Sequence, residues 1–229
     1  MPNKKLVVLS GAGVSAESGL KTFRDSGGLW EGHDVLDVAS IEGWNRNQEL
    51  VLDFYNQRRK QLEHVQPNSA HFDIVDLEAH FDVTVITQNV DNLHERAGST
   101  KVIHLHGELT KACSSIDTNA IIDIGYNNIN LGDKHPDGSP LRPAVVWFGE
   151  MVPMIELATE IIAKADILIV VGTSLVVYPA AGLVHYADKA SAKYIIDPGL
   201  SDHYVDSSWM HIKKPATLGM KELKTQILN

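Results

Sequence analysis

Two stretches place small residues directly after apolar runs. Leu6-Val7-Val8-Leu9 leads into Gly11-Ala12-Gly13, with Ser15 and Ala16 close behind, and Ile167–Val171 leads into Gly172-Thr173-Ser174. A strand entering such a turn lets backbone N–H groups approach an anion, and a helix opening near Ser15 would turn its positive end to the same place. Gly11-x-Gly13-x-x-Ala16 also satisfies the Ala-ended dinucleotide fingerprint. Two glycines in such a turn serve tight packing equally well. Thr173 and Ser174 carry hydroxyls that suit phosphate or ribose oxygens, or that simply open a helix. Asp197 closes the strand Tyr194–Ile196, where a carboxylate can accept both hydroxyls of a ribose. Standing before Pro198, it is equally a turn former.

His104 and His106 lie two apart on a predicted strand, so both point to one face. They suggest a metal pair, but no third ligand is evident. An imidazole titrating near pH 6.5 is the natural general base at neutral pH, and His106 before Gly107 at a strand end fits that role. Asn89 and Asp91 leave the strand Val83–Thr87. They can hold a carboxamide or a water, or form turns of their own. Tyr55 and Arg58 share a face of a long helix, where Arg58 can grip a carboxylate. On spacing alone the run Arg58-Arg59-Lys60 reads better as a solvated basic face.

These residues need positioning elements. Leu50, Phe54, Leu62 and Val65 recur at helical spacing across 45–65. Pro67 breaks that helix, and Asn68 caps another from Ser69 to about Glu78. Helices are also expected over 155–164, from about Pro179 to Lys189, and from about Met220 to Leu228. Strands are expected at 102–105, 144–148 and 167–171. The stretch Thr22 to Trp30 carries Gly27-Gly28 and reads as a loop. Cys113 to Arg142, rich in Asn, Asp, Gly and Pro, reads as a loop-rich insert. Strands alternating with helices predict an α/β fold, a parallel sheet with helices on both faces. In such a sheet ligands bind beyond the carboxyl ends of the strands. Gly11, Gln88, His106, Gly172 and Asp197 all belong at that edge.

The bulk numbers set the class. The chain has 229 residues, 44% hydrophobic and 21% charged, which suits one ordinary domain or one large domain with a small insert. A formal net charge of -9 argues against nucleic-acid binding. The single cysteine, Cys113, excludes an internal disulfide and points to a reducing compartment. The apolar runs are too short for a signal peptide or a membrane span. A cytoplasmic protein with no membrane partner is expected.

Together, GAGVSAESG (11–19), TFR (22–24), GGLW (27–30), TQNVDNLHERAG (87–98), HLHGEL (104–109), LRPAVVWFGE (141–150) and GTSLVVYPAA (172–181) resemble the sirtuin family, NAD-dependent protein-lysine deacylases. The resemblance implies a Rossmann-like NAD-binding domain from 1–30, 67–106 and 143–229. It implies a small inserted domain from 31–66 and 107–142, with the cofactor NAD between the two. Contacts to NAD would come from Gly11, Ala12, Gly13, Ser15 and Glu17, then Thr22, Phe23, Arg24 and Trp30. Gln88, Asn89, Asp91 and His106 would follow from the central strands, and Gly172, Thr173, Ser174, Asp197 and Ala216 from the far side. The family most often has Asn where Asp197 stands, a change the ribose contact should survive.

Further implications concern the reaction. An acyl-lysine protein or peptide would add as a strand between Val146–Glu150 and Leu175–Val177, touching Val146, Phe148, Gly149, Glu150 and Val176. Its acyl amide oxygen would displace nicotinamide from NAD. His106, with Asn89 and Asp91, would then act catalytically, His106 as base, to release lysine and O-acyl-ADP-ribose. Tyr55-x-x-Arg58 matches the subgroup that removes succinyl and malonyl groups, which turns Arg58 toward the acyl tunnel, with some deacetylation alongside. Most of the family bind structural zinc through two Cys pairs. With Cys113 alone, and His135 and Asp137 scattered, no zinc is expected. Ile121, Ile122, Ile124 and Tyr126 would hold the insert by packing. The competing readings are an NAD-dependent dehydrogenase and a non-catalytic NAD-binding module. The first lacks an acidic residue that ends a second strand about twenty positions past Ala16, and the second does not need His106, Asn89 and Asp91.

Overall fold

The computed structural model describes residues 3–21, 29–199 and 206–229. The expected contacts of Thr22, Phe23 and Arg24 lie outside the described residues. β1 (Lys5–Ser10) runs into the short α1 (Gly13–Ala16). A hairpin of β2 (Leu29–Trp30) and β3 (His33–Asp34) precedes α2 (Val35–Val38), α3 (Ile41–Arg46), α4 (Gln48–His64) and α5 (Ser69–Leu77). Then come β4 (Asp82–Thr87), α6 (Leu93–Ala97), β5 (Val102–His104), β6 (Gly107–Ser114), β7 (Ile121–Asp123) and β8 (Leu141–Val145). The chain continues with α7 (Ile155–Ile162), β9 (Ile167–Val171), a 3₁₀ helix over Ala180–Tyr186, β10 (Ala192–Ile196), β11 (Trp209–Ile212) and α8 (Ala216–Leu228). Among the described residues no helix is long and apolar enough to cross a membrane.

Six strands form one parallel sheet in the order β11-β10-β9-β1-β4-β5. Val8 on β1 lies opposite Val85 on β4 and Ile169 on β9. Alternation along each strand sends side chains to two faces. Leu6, Val8, Val85, Ile169 and Val171 pack under α5 and α8 with Ile74, Leu77, Met220 and Leu223. Val7, Leu9, Ile86, Leu168 and Val170 pack against Ala158 and Ile162 of α7 and Leu183 of the 3₁₀ helix. The strand order reverses beside β1, so the crevice between the turns after β1 and β9 is the place where such a sheet opens to a ligand.

A second assembly stands beside this sheet. β7, β6 and β8 form a three-stranded antiparallel sheet, which packs with α4 around Trp44, Phe54, Tyr55, Leu109, Ile129, Val145 and Trp147. The insert expected to be loop-rich therefore contains strands. Their pairing is non-local, Cys113 opposite both Ile121 and Arg142, and leaves no period in the sequence. Ile122, Ile124 and Tyr126 pack against this core, while Ile121 is exposed.

Other expectations shift. The strand expected at 144–148 is β8, ending at Val145, and the helix expected over 179–189 is a seven-residue 3₁₀ turn. The last helix starts at Ala216, and the edge strand β11 adds to the sheet. The cap at Asn68 stands as expected, its side chain accepting from the Ala70 N–H at 2.9 Å.

Candidate functional site

A cleft of about 610 Å³ lies at the carboxyl edge of the parallel sheet, within the usual size of a small-molecule site. The turns after β1 and β9 meet there backbone to backbone. The Gly13 N–H donates to the Gly172 carbonyl at 2.8 Å, and the Gly11 N–H to the Val171 carbonyl at 3.0 Å. A Cβ on Gly13 would stand 2.7 Å from Gly172 Cα, and one on Gly172, whose φ is +63°, 2.3 Å from Val14 N. The glycines are thus required for close packing. The N–H groups of Gly11 and Gly13 are engaged inside the fold, which favours the close-packing role that the sequence left open for these two glycines, and α1 has only four residues, too few to build a helix dipole.

Every described residue expected to touch cofactor or substrate lines this cleft. Gly11, Ala12, Gly13, Ser15 and Glu17 come from the β1 turn. Gln88, Asn89 and Asp91 follow β4, and His106 follows β5. Gly172, Thr173 and Ser174 follow β9, Asp197 follows β10, and Ala216 opens α8. Trp30, Tyr55, Arg58, Val146, Phe148, Gly149, Glu150 and Val176 complete the wall. Some of these side chains are already engaged. Glu17 accepts from the Thr217 N–H and hydroxyl at 3.0 and 2.7 Å. Asp197 accepts from the Gly199 N–H at 2.8 Å, the turn its sequence allowed. Glu150 accepts from Arg142 at 2.8 and 3.1 Å and from the Trp147 N–H at 2.7 Å. Its carboxylate therefore braces the loop, and only its place on the wall matches the expectation of substrate contact.

At the centre, His106 Nδ1 lies 2.9 Å from the Gln88 carbonyl. A carbonyl only accepts, so Nδ1 carries the proton and Nε2 keeps its lone pair. Burial pulls the pKa of this imidazole down, with the Gln88 bond opposing, so the ring is neutral at pH 7 and ready to accept a proton. Beside it, Asn89 Nδ2 donates to Ser15 Oγ at 3.2 Å, and Ser15 Oγ donates to Asp91 at 2.9 Å. Asp91 also accepts from the Leu93 N–H at 3.1 Å. Burial pushes its carboxyl up, against those two bonds.

His104 does not join His106 in a metal pair. Its Nδ1 reaches the Asn89 carbonyl at 3.0 Å and its Nε2 reaches Glu95 at 2.7 Å. Burial opposes its charge, but Glu95 outweighs burial and raises its pKa. Among the described residues no group of three His, Cys, Asp or Glu is placed to hold a metal.

The far end of the cleft is built by α4. Tyr55 is fully buried and accepts from Trp147 Nε1 at 3.0 Å, which leaves its hydroxyl proton to donate. Arg58 turns into the cleft, contrary to the solvated-face reading that spacing alone favoured. Its Nη1 stands 3.1 Å from Glu31, and its guanidinium lies 5.3 Å from the Phe54 ring centroid. Sequence reasoning missed Glu31 and Trp147. The first follows Trp30 in a hairpin too short to show periodicity, and the second is visible only as the partner of Tyr55.

The cleft suits a dinucleotide. Hydroxyl, carboxamide, carboxylate and imidazole groups converge on it from five strand ends, and its floor at the switch point is glycine backbone. Comparisons agree. The profile of the Sir2 family matches residues 11–179. An NAD-dependent protein deacylase of Bacteroides thetaiotaomicron is 53% identical over 98% of both chains. A Sir2 homologue solved as a mutant with ADP-ribose superposes with a TM-score of 0.89, at 37% identity, over 99% of this chain and 92% of that one. A Sir2 homologue in complex with NAD gives a TM-score of 0.87 at the same identity, over 99% and 90%.

Proposed function

The chain belongs to the Sir2 family, and from that premise we propose that it is a lysine deacylase with a preference for acidic acyl groups. It acts as an NAD-dependent protein deacylase on acylated proteins. Succinyl and malonyl groups are the preferred cargo, with acetyl removed more slowly. The observation that carries this preference is the joint presence of His106, Tyr55 and Arg58 in one cleft.

NAD, when bound, supplies an electrophilic ribose carbon and the hydroxyl that takes over the acyl group. Gly11 to Ser15, Gln88, Asn89, Gly172 to Ser174 and Asp197 hold it. His106 offers Nε2 to a hydroxyl proton, because the Gln88 carbonyl fixes the opposite tautomer. Asn89 and Asp91 are held through Ser15, so their orientation does not depend on ligand. The acylated peptide lies extended between 146–150 and 175–177, where Phe148 and Val176 are exposed. Arg58 and the Tyr55 hydroxyl meet the distal carboxylate, Arg58 through charge-assisted hydrogen bonds. Water exclusion by Trp30, Phe54 and Trp147 strengthens that contact.

Mass spectrometry of acetyl-, succinyl- and malonyl-lysine peptides, with and without NAD, tests this. The unmodified enzyme should desuccinylate fastest and release nicotinamide. His106→Ala should cut every turnover about 10²–10⁴-fold, the range of a lost general base. Arg58→Met should cut desuccinylation at least tenfold more than deacetylation. Equal losses on both substrates refute the acidic-acyl preference.

A further inference from the structure

Arg58 is not a bare cation waiting for substrate. Glu31 stands against it with Oε1 3.1 Å from Nη1, and both side chains are nearly buried, at 14% and 15% exposure. The other carboxylate oxygen of Glu31 meets Lys21 Nζ at 3.1 Å, and that lysine is 64% exposed. All three residues line the same cleft as His106.

The hairpin that delivers Glu31 works against its own chemistry. Trp30 pairs with His33, so Glu31 and Gly32 are the two loop residues. Their φ values are +51° and +84°. Such a loop favours Asn, Asp or Gly at its first position, and a long side chain there is strained. A Glu in this place, turned inward, is a backbone outlier that points to a role.

The contact itself is incomplete. The charges of Glu31 and Arg58 meet, yet Nε and Nη1 of Arg58 are buried with no hydrogen-bond partner among the described residues. Buried guanidinium donors left unsatisfied are costly. Glu31 therefore neutralises the charge without satisfying the donors, and a better-placed carboxylate on a ligand would displace it. Lys21 gives the displaced Glu31 a second cation at the cleft mouth.

We propose that Glu31 is a specificity-determining residue, an internal carboxylate that occupies Arg58 until the carboxylate of an acyl chain replaces it. This deepens the acidic-acyl reading and rests on it. The resting pocket is close to neutral, which lets an acetyl group enter beside the paired Arg58. A succinyl or malonyl chain must first displace Glu31, so its apparent affinity is lowered by that competition.

Glu31→Gln removes the competing charge at nearly constant shape, and Glu31→Asn does so with a residue the loop favours. KM and kcat for succinyl- and acetyl-lysine peptides at saturating NAD, with calorimetric binding of the same peptides without NAD, are the measurements. In both variants KM for the succinyl peptide should fall about tenfold, the gain from releasing one partly buried ion pair. Its calorimetric Kd should fall in step, and the succinyl-to-acetyl ratio of kcat/KM should rise about as much. A ratio within twofold of the unmodified enzyme in both variants, or a ratio that falls, overturns the proposal. Arg58→Met, run in parallel, separates the two claims. If it selectively abolishes desuccinylation while Glu31→Gln changes nothing, the role of Glu31 falls and the acidic-acyl reading stands. If Arg58→Met affects both peptides equally, both fall.

Discussion

The six-stranded and the three-stranded sheet of this protein are held together by different means. In the six-stranded sheet the cement is apolar: all five residues of β9 are buried, and each face of β1 is covered by a helical layer. Beside the three-stranded sheet, apolar packing is supplemented by buried polar stitches. Arg59, fully buried on α4, donates to the Asn127 carbonyl at 3.0 Å and to Asn56. Asn56 exchanges bonds with the Ile129 N–H and carbonyl at 3.0 and 2.9 Å. Arg142 lies 3.6 Å above the Trp147 ring and is paired with Glu150. Ser114 and Ser139 join at 2.8 Å. With one thiol and irregular segments to pin, side-chain bonds to backbone do what strand alternation does elsewhere. A regular sheet satisfies its own backbone groups. An irregular segment such as 124–130 must be satisfied by side chains reaching in from outside.

Three substitutions sharpen or break this contrast. Ile169→Ala, in the middle of the large sheet, should have the largest effect. It opens a cavity between β9 and the helices above it and should cost about 3 kcal/mol, seen as a fall in Tm of roughly 6–12 °C. A loss under about 1 kcal/mol would mean that the apolar layer is not what holds the sheet. Arg59→Met comes next. It keeps the apolar volume but strands the Asn127 carbonyl, which should cost about 2 kcal/mol. The loss should appear as faster hydrogen exchange across 121–129, with protection of β1 and β9 unchanged. Buried ionic groups replaced by apolar ones sometimes stabilise. Unchanged or higher stability for Arg59→Met would therefore dissolve the contrast.

The same contrast explains what the sequence revealed. Apolar runs such as Ile167–Val171, and the helical spacing of Leu50, Phe54 and Leu62, announce their elements because burial alone dictates them. The ends of five such strands carried the site residues, so the cleft was legible once the strands were. β6 and β7 were not legible, and β8 showed only at its end, expected at 144–148 and found at Leu141–Val145, since Thr110, Lys111 and Pro143 give no alternation and the pairing spans the whole insert. Nor was the inward turn of Arg58 legible from spacing. Two arginines stand side by side at 58 and 59, and only the fold sends one to the cleft and the other into the second core. Glu31 was invisible for a related reason: its partner lies on another element, and the loop that carries it favours a different residue.

Acid should reverse the ranking of the two regions, and the part read through His71 is no larger than the Arg59→Met effect. The polar stitches contain arginine, which stays charged: burial lowers the pKa of Arg59 only to about 10, with Tyr55 opposing. The apolar layer of the large sheet encloses a pair of histidines instead. His71 on α5 and His94 on α6 stack with ring centroids 4.9 Å apart. His94 Nε2 is tied to Ser10 Oγ at 2.9 Å, which in turn donates to Thr87. Burial lowers the pKa of His71 from 6.5 to about 4, with the Asn68 bond opposing, and burial followed by the charges of His71 and His104 lowers that of His94 further below the ordinary range. As pH falls through 6.5 the unfolded chain takes up these protons first. Their contribution is therefore complete above pH 6.5, shrinks as pH falls, and for His71 stops shrinking below about 4. At pH 5 His71 alone should remove roughly 2 kcal/mol. His104, whose folded pKa is raised, acts with the opposite sign, gaining stability as pH falls toward 6.5 and holding it below, so the effect must be read by difference. His71→Gln should lose markedly less stability than the unmodified chain between pH 7 and pH 5, measured by urea midpoints. Identical losses would place the acid sensitivity outside the sheet and leave the apolar region the more robust of the two at every pH.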